Sequence, residues 1–338
     1  MSTGVLVLGP AGHGVTAAAL DHALALRTVA AGPVDLLRRP GLPDVGELRA
    51  ALRAAAPGPL LVHVTDGIAG RTPEDAADVV EALARERRLV LVLHDLPQAS
   101  DGPRNAPRRA AAYRRMAAAA AEVVVASAHE ARLLAACGAD VPVTVVPLPV
   151  PDLRGPPAAD RAAPPAGVAV LGYLYPGKGH EAVIAALDVL PEGIGLTAWG
   201  GPSAGHEDLA DALAAQARAV GRPCTVTGYV PDDELPALLR SAVLPVAPHE
   251  HLSASGSINA WIGAGRRPLV PRSDYVTELL DRSPGCVRVY DDLRTALAEA
   301  WADPATTWLP PGARPGPTAA DAAALLLPVL ARAAGNAP

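Results

Sequence analysis

The stretch VAVLGYLYPGKGHE, residues 168–181, contains the features that decide the fold. Its first four residues are all apolar, which is typical of a strand buried on both faces of a parallel sheet. A glycine-bearing loop follows, and a helix is predicted to begin after it. Such a turn brings free backbone N–H groups and the Lys178 ammonium beside one anion, which predicts a pyrophosphate site. An ordinary strand-to-helix turn with a solvated lysine fits the same spacing.

The same alternation of apolar runs and alanine-rich helical stretches extends in both directions from this segment. It predicts two doubly wound α/β domains, because 338 residues exceed what one hydrophobic core usually supports. The strands predicted for the first domain are residues 5–8, 34–37, 60–64, 89–93, 123–126 and 144–146. Those predicted for the second are residues 168–171, 196–199, 225–227, 243–246, 268–270 and 287–289.

A proline-dense segment divides the chain. Since proline neither continues a helix nor fits inside a sheet, residues 150–166 are expected to link an N-terminal domain, 1–149, to a C-terminal domain, 167–317. A last helix is expected at 318–334, with Thr318 and Asp321 capping its start. Burial of its apolar face predicts that it packs back on the first domain.

Composition and charge exclude several classes of function. The net charge of -6 argues against a nucleic-acid partner, which requires clustered cations. The three cysteines, Cys137, Cys224 and Cys286, lack metal-ligand spacing, so neither a metal site nor a disulfide framework is expected, and a reducing cytoplasm fits them. The N-terminus lacks the features of a secretory signal, and no apolar run approaches the ~20 residues that span a bilayer, so no integral membrane segment is expected.

A serine-rich segment at residues 248–262 predicts a second anion site. Ser253, Ser255, Gly256 and Ser257 precede an apolar helical run, whose first N–H groups would face phosphate oxygens. A plain serine N-cap fits as well, and His249 and His251, taken alone, are more typical of solvated loop residues than of ligands. Two candidate anion sites at the carboxyl ends of one sheet favour ligand binding.

Four segments of the second domain resemble glycosyltransferase family four, in order and spacing. They are Gly172 to Glu181, Trp199 to Pro202, Val226 to Leu235, and the serine-rich segment through Gly265 and Pro268. The first domain is similar more loosely, at Gly9 to Gly14, Leu93 to Asp95 and Ser127 to Glu130, so the resemblance covers nearly the whole chain.

The resemblance implies a GT-B fold, with two Rossmann-like domains facing across a cleft, and a retaining hexosyltransferase. It implies a nucleotide-sugar donor, with UDP or GDP favoured, and a glycan or small-molecule acceptor. No metal and no cofactor beyond the donor are expected. The oligomeric state stays open.

The resemblance also assigns roles to residues. It places Lys178 and the helix start at Ser255 on the donor diphosphate, the base near Gly228 and Tyr229, and His94 on the donor sugar. Asp95 is a candidate on the acceptor side. The full predicted set comprises catalytic His94 and Asp95 with donor-binding Gly12, His13, Gly14, Gly172, Lys178, Gly228, Tyr229, Glu250, His251, Ser253, Ser255, Gly256, Ser257, Asn259 and Arg267.

Two positions depart from the family. Tyr173 stands where the family has an arginine, and Arg266 or Arg267 is a candidate replacement. The family's pair of glutamates is missing: Glu250 is a near match for the first, and Asn259 could hydrogen-bond a ribose hydroxyl in place of the second.

Three alternatives follow from these departures and from the first glycine loop. One is a catalytically weak nucleotide-sugar-binding subunit that activates a partner, and another is a sugar-nucleotide epimerase, for which no acid/base carboxylate pair is located. The third, a dinucleotide oxidoreductase, is disfavoured because the glycines at 9, 12 and 14 have the wrong spacing. His63 and Asp66, at the end of the third strand, are interpreted as loop-capping residues.

Overall fold

The computed structural model of the chain describes residues 2–154, 167–203 and 205–335. They form two compact units. The first contains the described residues up to 149 together with those from 317 onward, and the second spans 150–316. Of the predicted linker, residues 155–166 lie outside the described residues.

The first unit is built on a six-stranded parallel sheet with strand order β2-β1-β3-β4-β5-β6. Alternate side chains enter two separate cores, since Leu6 and Val62 pack on one face and Val5 and Leu61 on the other. Helices cover both faces, as the continuous apolar strands require. The strands are β1 Thr3–Leu8, β2 Val34–Arg39, β3 Leu60–Val64, β4 Leu89–Leu93, β5 Glu122–Val125 and β6 Val143–Val145. The helices are α1 Gly14–Val29, α2 Val45–Ala54, α3 Asp66–Ala69, α4 Pro73–Ala84, α5 Gly102–Ala119 and α6 Ala128–Ala136, with a 3-10 turn at Ala99–Asp101.

The second unit repeats this design with strand order β12-β11-β10-β7-β8-β9, all parallel. The strands are β7 Gly167–Leu171, β8 Gly195–Trp199, β9 Cys224–Val226, β10 Leu244–Val246, β11 Leu269–Pro271 and β12 Arg288–Tyr290. The helices are α7 His180–Ala186, α8 Leu209–Ala219, α9 Leu235–Ser241, α10 Gly256–Gly263, α11 Asp274–Arg282 and α12 Leu293–Ala302, with 3-10 turns at Leu187–Val189 and Pro304–Thr307.

The last helix, α13 Ala319–Ala333, belongs to the first unit. It begins with a capping box, in which Thr318 and Asp321 each accept the other's backbone N–H. Its apolar side chains Leu326, Val329 and Leu330 are buried in the core that α1 also lines, and the helix runs through Pro328.

Each predicted strand is present with its ends moved by at most two residues, so the α/β prediction is confirmed. No helix in the described part of the chain is long and apolar enough to cross a membrane.

Candidate functional site

The only lysine of the sequence, Lys178, is buried in the loop between β7 and α7. Its Nζ lies 2.7 Å from Nε2 of His249 and 3.3 Å from Oγ of Ser257. No carboxylate of the described residues pairs with it, and burial lowers its pKa to about 7. A buried cation without a counter-charge is costly to keep, so this geometry indicates a site for an anion.

His249 meets Lys178 because β7 pairs with β10, and His249 follows the end of β10. Its interpretation as a solvated loop residue is wrong, since it is buried, whereas His251 is exposed. Burial, and then the Lys178 charge, hold the pKa of His249 well below its usual value. The imidazole is therefore neutral, and its Nε2 can accept a hydrogen bond from the ammonium.

The start of α10 supplies the second part of the site. Ser255 is the N-cap, and its Oγ accepts the N–H of Ile258 at 3.2 Å and lies 3.0 Å from Oγ of Ser257. The first N–H groups of a helix have no partner inside the helix and carry a partial positive charge. Since Ser257 also contacts Lys178, the helix start and the ammonium converge on one place.

Two glycines allow the lysine loop to close on this place. Gly172 has φ +110°, and a Cβ on it would lie 3.1 Å from Nζ of Lys178. Gly179 has φ +89°, and a Cβ there would lie 2.2 Å from the carbonyl oxygen of Pro248. Backbone conformation disfavours a side chain at both positions; space also excludes one at Gly179, whereas at Gly172 the end of Lys178 would have to shift.

Gly228 and Tyr229 follow β9, two strands away from β7. Close glycine contacts connect the strand ends: a Cβ on Gly200 would lie 2.1 Å from the carbonyl oxygen of Gly172, and one on Gly201 would lie 3.7 Å from Cα of Gly228. Tyr229 is exposed, and Asp232 raises the pKa of its phenol. Between the lysine site and the exposed ring of Tyr229, the ends of the strands are therefore formed by glycine backbone.

The structure also brings other predicted residues near the lysine loop. The Glu250 N–H donates to the carbonyl oxygen of Gly177 at 3.0 Å, and the Glu250 side chain is exposed. Ser253 is buried, and Asn259 is buried in α10, where its N–H donates to the carbonyl oxygen of Ser255.

The two arginines do not belong to this site. Arg267 precedes β11 and so lies at the amino end of a strand, whereas Lys178 and Ser255 lie at the carboxyl edge of the sheet. Arg266 as a replacement cation is wrong, because it is fully buried and donates to the carbonyl oxygen of Ala242 at 2.5 Å and to Oγ1 of Thr307 at 2.9 Å.

In the first unit, His13, His94 and Asp95 form a second cluster at the carboxyl edge of the sheet. His13, between Gly12 and Gly14, is the N-cap of α1, and its Nδ1 accepts the N–H of Val15 at 3.2 Å. Burial, and then His13, lower the pKa of His94 to about 4. Burial lowers the pKa of His13, against a smaller opposing effect of Asp95, so the three side chains interact.

Asp95 is the only non-glycine residue with a positive φ, +50°, in the part of the chain that the structure describes. Arg109 holds this turn by donating to the carbonyl oxygen of Asp95 at 2.6 Å and to both carboxylate oxygens of Asp66 at 3.0 Å. Such conformations persist where the surroundings fix them, commonly at functional sites.

The loop-capping interpretation of Asp66 and His63 is therefore wrong. Asp66 is an ion-pair partner of Arg109, and His63 is a buried residue inside β3. Among the described residues, no group of three or more His, Cys, Asp or Glu side chains could hold a metal ion.

No protein-family model and no curated protein match the chain. Among solved structures it is similar to Anabaena HepE in complex with UDP and glucose, with TM-score 0.69, 16% identity and coverage of 99% of this chain and 95% of that chain. Sucrose-phosphate synthase from Thermosynechococcus elongatus gives 0.70, 15%, 96% and 94%. AviGT4, a glycosyltransferase involved in avilamycin A biosynthesis, gives 0.59, 15%, 99% and 93%. At these identities the similarity shows the fold alone, and the GT-B prediction is confirmed.

Proposed function

We propose that the chain is a glycosyltransferase that transfers a hexose from a nucleotide-sugar donor to a glycan or small-molecule acceptor. The observation that carries the proposal is Lys178, a buried cation without a carboxylate partner that meets the start of α10. A diphosphate supplies the missing negative charge at this place. The GT-B fold supports the proposal, since HepE, which shares it, is seen with UDP-glucose.

In the proposed reaction the bond between the sugar C1 and the terminal phosphate oxygen breaks. Lys178 and the N–H groups at the start of α10 stabilise the charge that develops on that oxygen. The acceptor hydroxyl oxygen forms the new bond to C1, and its proton passes to the leaving phosphate oxygen. The protein then needs neither a dedicated base nor a metal, and the reaction retains the anomeric configuration.

For the other predicted residues we propose roles that follow the family resemblance. Gly228 and Tyr229 accommodate the base of a UDP or GDP donor. His94 binds hydroxyls of the donor sugar, and Asp95 binds the acceptor. No cofactor other than the donor takes part.

The test is release of nucleotide from UDP-, GDP-, ADP- and dTDP-sugars, with NMR of the anomeric proton in the first product. Release with one donor, lost in Lys178→Met, is the expected result. An inverted product would contradict retention alone. A chain that neither binds nor cleaves any of these donors would contradict the proposal.

One alternative has a specific observation in its favour. The family's second glutamate is replaced near Asn259, a buried amide, so the chain lacks that carboxylate. A nucleotide-sugar-binding subunit would bind donor with the affinity of an enzyme but release no nucleotide, alone or with acceptors. Parallel binding and turnover measurements on the same sample separate the two functions.

A further inference from the structure

Three buried histidines of the first unit form a hydrogen-bonded row: His22 on α1, His63 on β3 and His94 directly after β4. Nδ1 of His22 lies 3.1 Å from Nε2 of His63, and Nδ1 of His63 lies 3.0 Å from Nε2 of His94. Only His94 has a role in the proposed reaction, so the other two need an explanation.

The fold places the three rings together. His63 enters the same face of the sheet as Leu61, and that face is covered by α1, which carries His22. Strand β3 pairs with β4, with Val64 opposite Leu93, so the residue that follows β4 lies next to the end of β3. The row therefore runs from the helix, along the face of the sheet that α1 covers, to the carboxyl edge.

All three rings are neutral near neutral pH. Burial lowers the pKa of His22 and of His94 to about 4, and burial with the two neighbouring rings lowers the pKa of His63 well below its usual value. A neutral imidazole has one N–H and one lone pair. Each of the two contacts must therefore pair a donor with an acceptor, and both must run in the same direction along the row.

The far end of the row decides the direction. Nε2 of His22 is buried, and no described residue hydrogen-bonds to it. If the bonds ran from His94 towards His22, this nitrogen would carry a buried N–H without an acceptor, which native structures avoid more strictly than an unused acceptor. The favoured direction has Nδ1–H of His22 donating to His63, and Nδ1–H of His63 donating to Nε2 of His94.

We infer that His63 is a positioning residue that fixes the tautomer of His94, so that Nδ1 of His94 carries the proton and donates to a sugar hydroxyl oxygen. This inference rests on the proposed function for the identity of the ligand only. The row is not a proton relay, because it ends at a buried nitrogen for which the described part of the chain offers no partner. His13 shows the same arrangement: its Nδ1 accepts from Val15, so its proton is on Nε2. His94 and His13 thus each present an N–H group to the ligand. These groups donate hydrogen bonds to ligand oxygen atoms, and neither imidazole acts as a base.

Two-bond 1H–15N correlation spectra of the full chain with labelled histidine report the tautomer of each ring. We expect the Nδ1–H form for His94 in the wild type. His63→Leu removes the donor to Nε2, and the Nε2–H form of His94 should then appear. His22→Leu is the matched control: it places an apolar side chain against Nε2 of His63, where a lone pair is still preferred, so His94 keeps its tautomer.

A wild-type His94 in the Nε2–H form, or an unchanged His94 tautomer in His63→Leu, would overturn the inference. If His63→Leu does not fold, the wild-type and His22→Leu spectra decide. Donor affinity gives an independent reading: loss of one aligned hydrogen bond should weaken UDP-glucose binding by roughly three- to tenfold in His63→Leu and not in His22→Leu. If none of the UDP-, GDP-, ADP- and dTDP-sugars is bound, the proposed function fails, while the tautomer result stands.

Discussion

Lys178 is the one lysine in a sequence whose other strongly basic residues are all arginine, and its surroundings account for the choice of lysine at this position. The pocket offers its cation two short contacts, to His249 and Ser257. A compact ammonium with three donors can make both contacts and still reach a ligand, whereas a guanidinium needs partners for five N–H groups held in a fixed plane. The residue type is therefore part of the site.

Replacing this cation should separate binding from stability. Lys178→Met keeps an unbranched side chain but removes a desolvated charge, so we expect an unchanged or higher melting temperature. Loss of a charge-assisted hydrogen bond should weaken binding of a nucleotide diphosphate by roughly ten- to a hundredfold. Calorimetric titration and thermal melting of the same samples measure both effects.

Ser255→Ala is the comparison for this variant. The backbone N–H groups that face the phosphate survive that change, so binding should weaken less, by about 1 kcal/mol. A Lys178→Met protein that melts normally and binds UDP as the wild type does would show that the lysine is not a diphosphate ligand.

Binding of a nucleotide-sugar should take up a proton. The pKa of Lys178 is about 7 in the free protein, and a bound diphosphate raises it, because an opposite charge favours the ammonium. Affinity is then constant below pH 7 and falls by about tenfold per pH unit above it, until the pKa of the complex is reached. UDP-glucose is the suitable ligand, since its diphosphate does not titrate near neutral pH.

A single lysine makes this measurement direct, because 15N-lysine labelling gives one Nζ signal to titrate. Stability provides a second reading. The folded pKa lies below the ordinary lysine value of 10.5, so the unfolded chain binds more protons between these values, and the free energy of unfolding should rise with pH from about 7 to 10.5. Lys178→Met should lose that rise. A lysine signal that titrates at the ordinary pKa would contradict both expectations.

At the level of elements, the loop that follows β7 depends on Gly172. A methyl group there would lie 3.1 Å from Nζ of Lys178, and φ +110° is unfavourable for alanine. Gly172→Ala should therefore displace the ammonium and weaken diphosphate binding at least tenfold. Gly221→Ala is the matched control, because Gly221 has φ +68° but open space around it. Both should lose about 1 kcal/mol or more of stability from backbone strain, but only the first should lose binding. Equal binding by the two variants would place the ligand elsewhere.

Strands, helices and loops were predictable from the sequence where one continuous stretch of residues carries the signal. Strand β4, for example, is an uninterrupted apolar run, and α13 has its capping residues beside its apolar face. The lysine loop is similar, because strand, glycines and helix follow one another. His249 was not predictable in this way, since its contact with Lys178 depends on the pairing of β7 with β10, which are far apart in sequence.

Two other features were missed for related reasons. Arg266 looked like an available cation, but the loop before β11 lies beside carbonyl groups at the end of α9 and just after it, and these carbonyls accept hydrogen bonds from its guanidinium. His63 had a signal that went unused: it is the only polar residue in the otherwise apolar strand LLVHV. A polar side chain in such a strand must be paired, which indicates a partner such as His94.

For the whole molecule, the main consequence of the topology is that the chain returns to its first unit at residue 317. The core on one face of the first sheet is completed by α13, in which Leu326 and Val329 are fully buried and Leu330 nearly so. Burial of three such side chains contributes about 4.5 to 9 kcal/mol, which is comparable to the whole stability of a domain. The second unit, by contrast, is one continuous segment with its own sheet and its own lysine site.

Truncation after Gly316 should therefore unfold one unit and spare the other. We expect the shortened chain to lose the amide-exchange protection of β1 and β3, because the face that α13 covers becomes exposed, while β7 and β10 keep theirs. Since Lys178, His249 and the start of α10 all lie in the second unit, the shortened chain should still bind UDP in calorimetry. Removal of residues 336–338 alone is the control and should change neither reading. If β1 keeps its amide-exchange protection after truncation, α13 is not required for the core of the first unit. If UDP binding is lost while β7 keeps its protection, the diphosphate site needs more than the second unit provides.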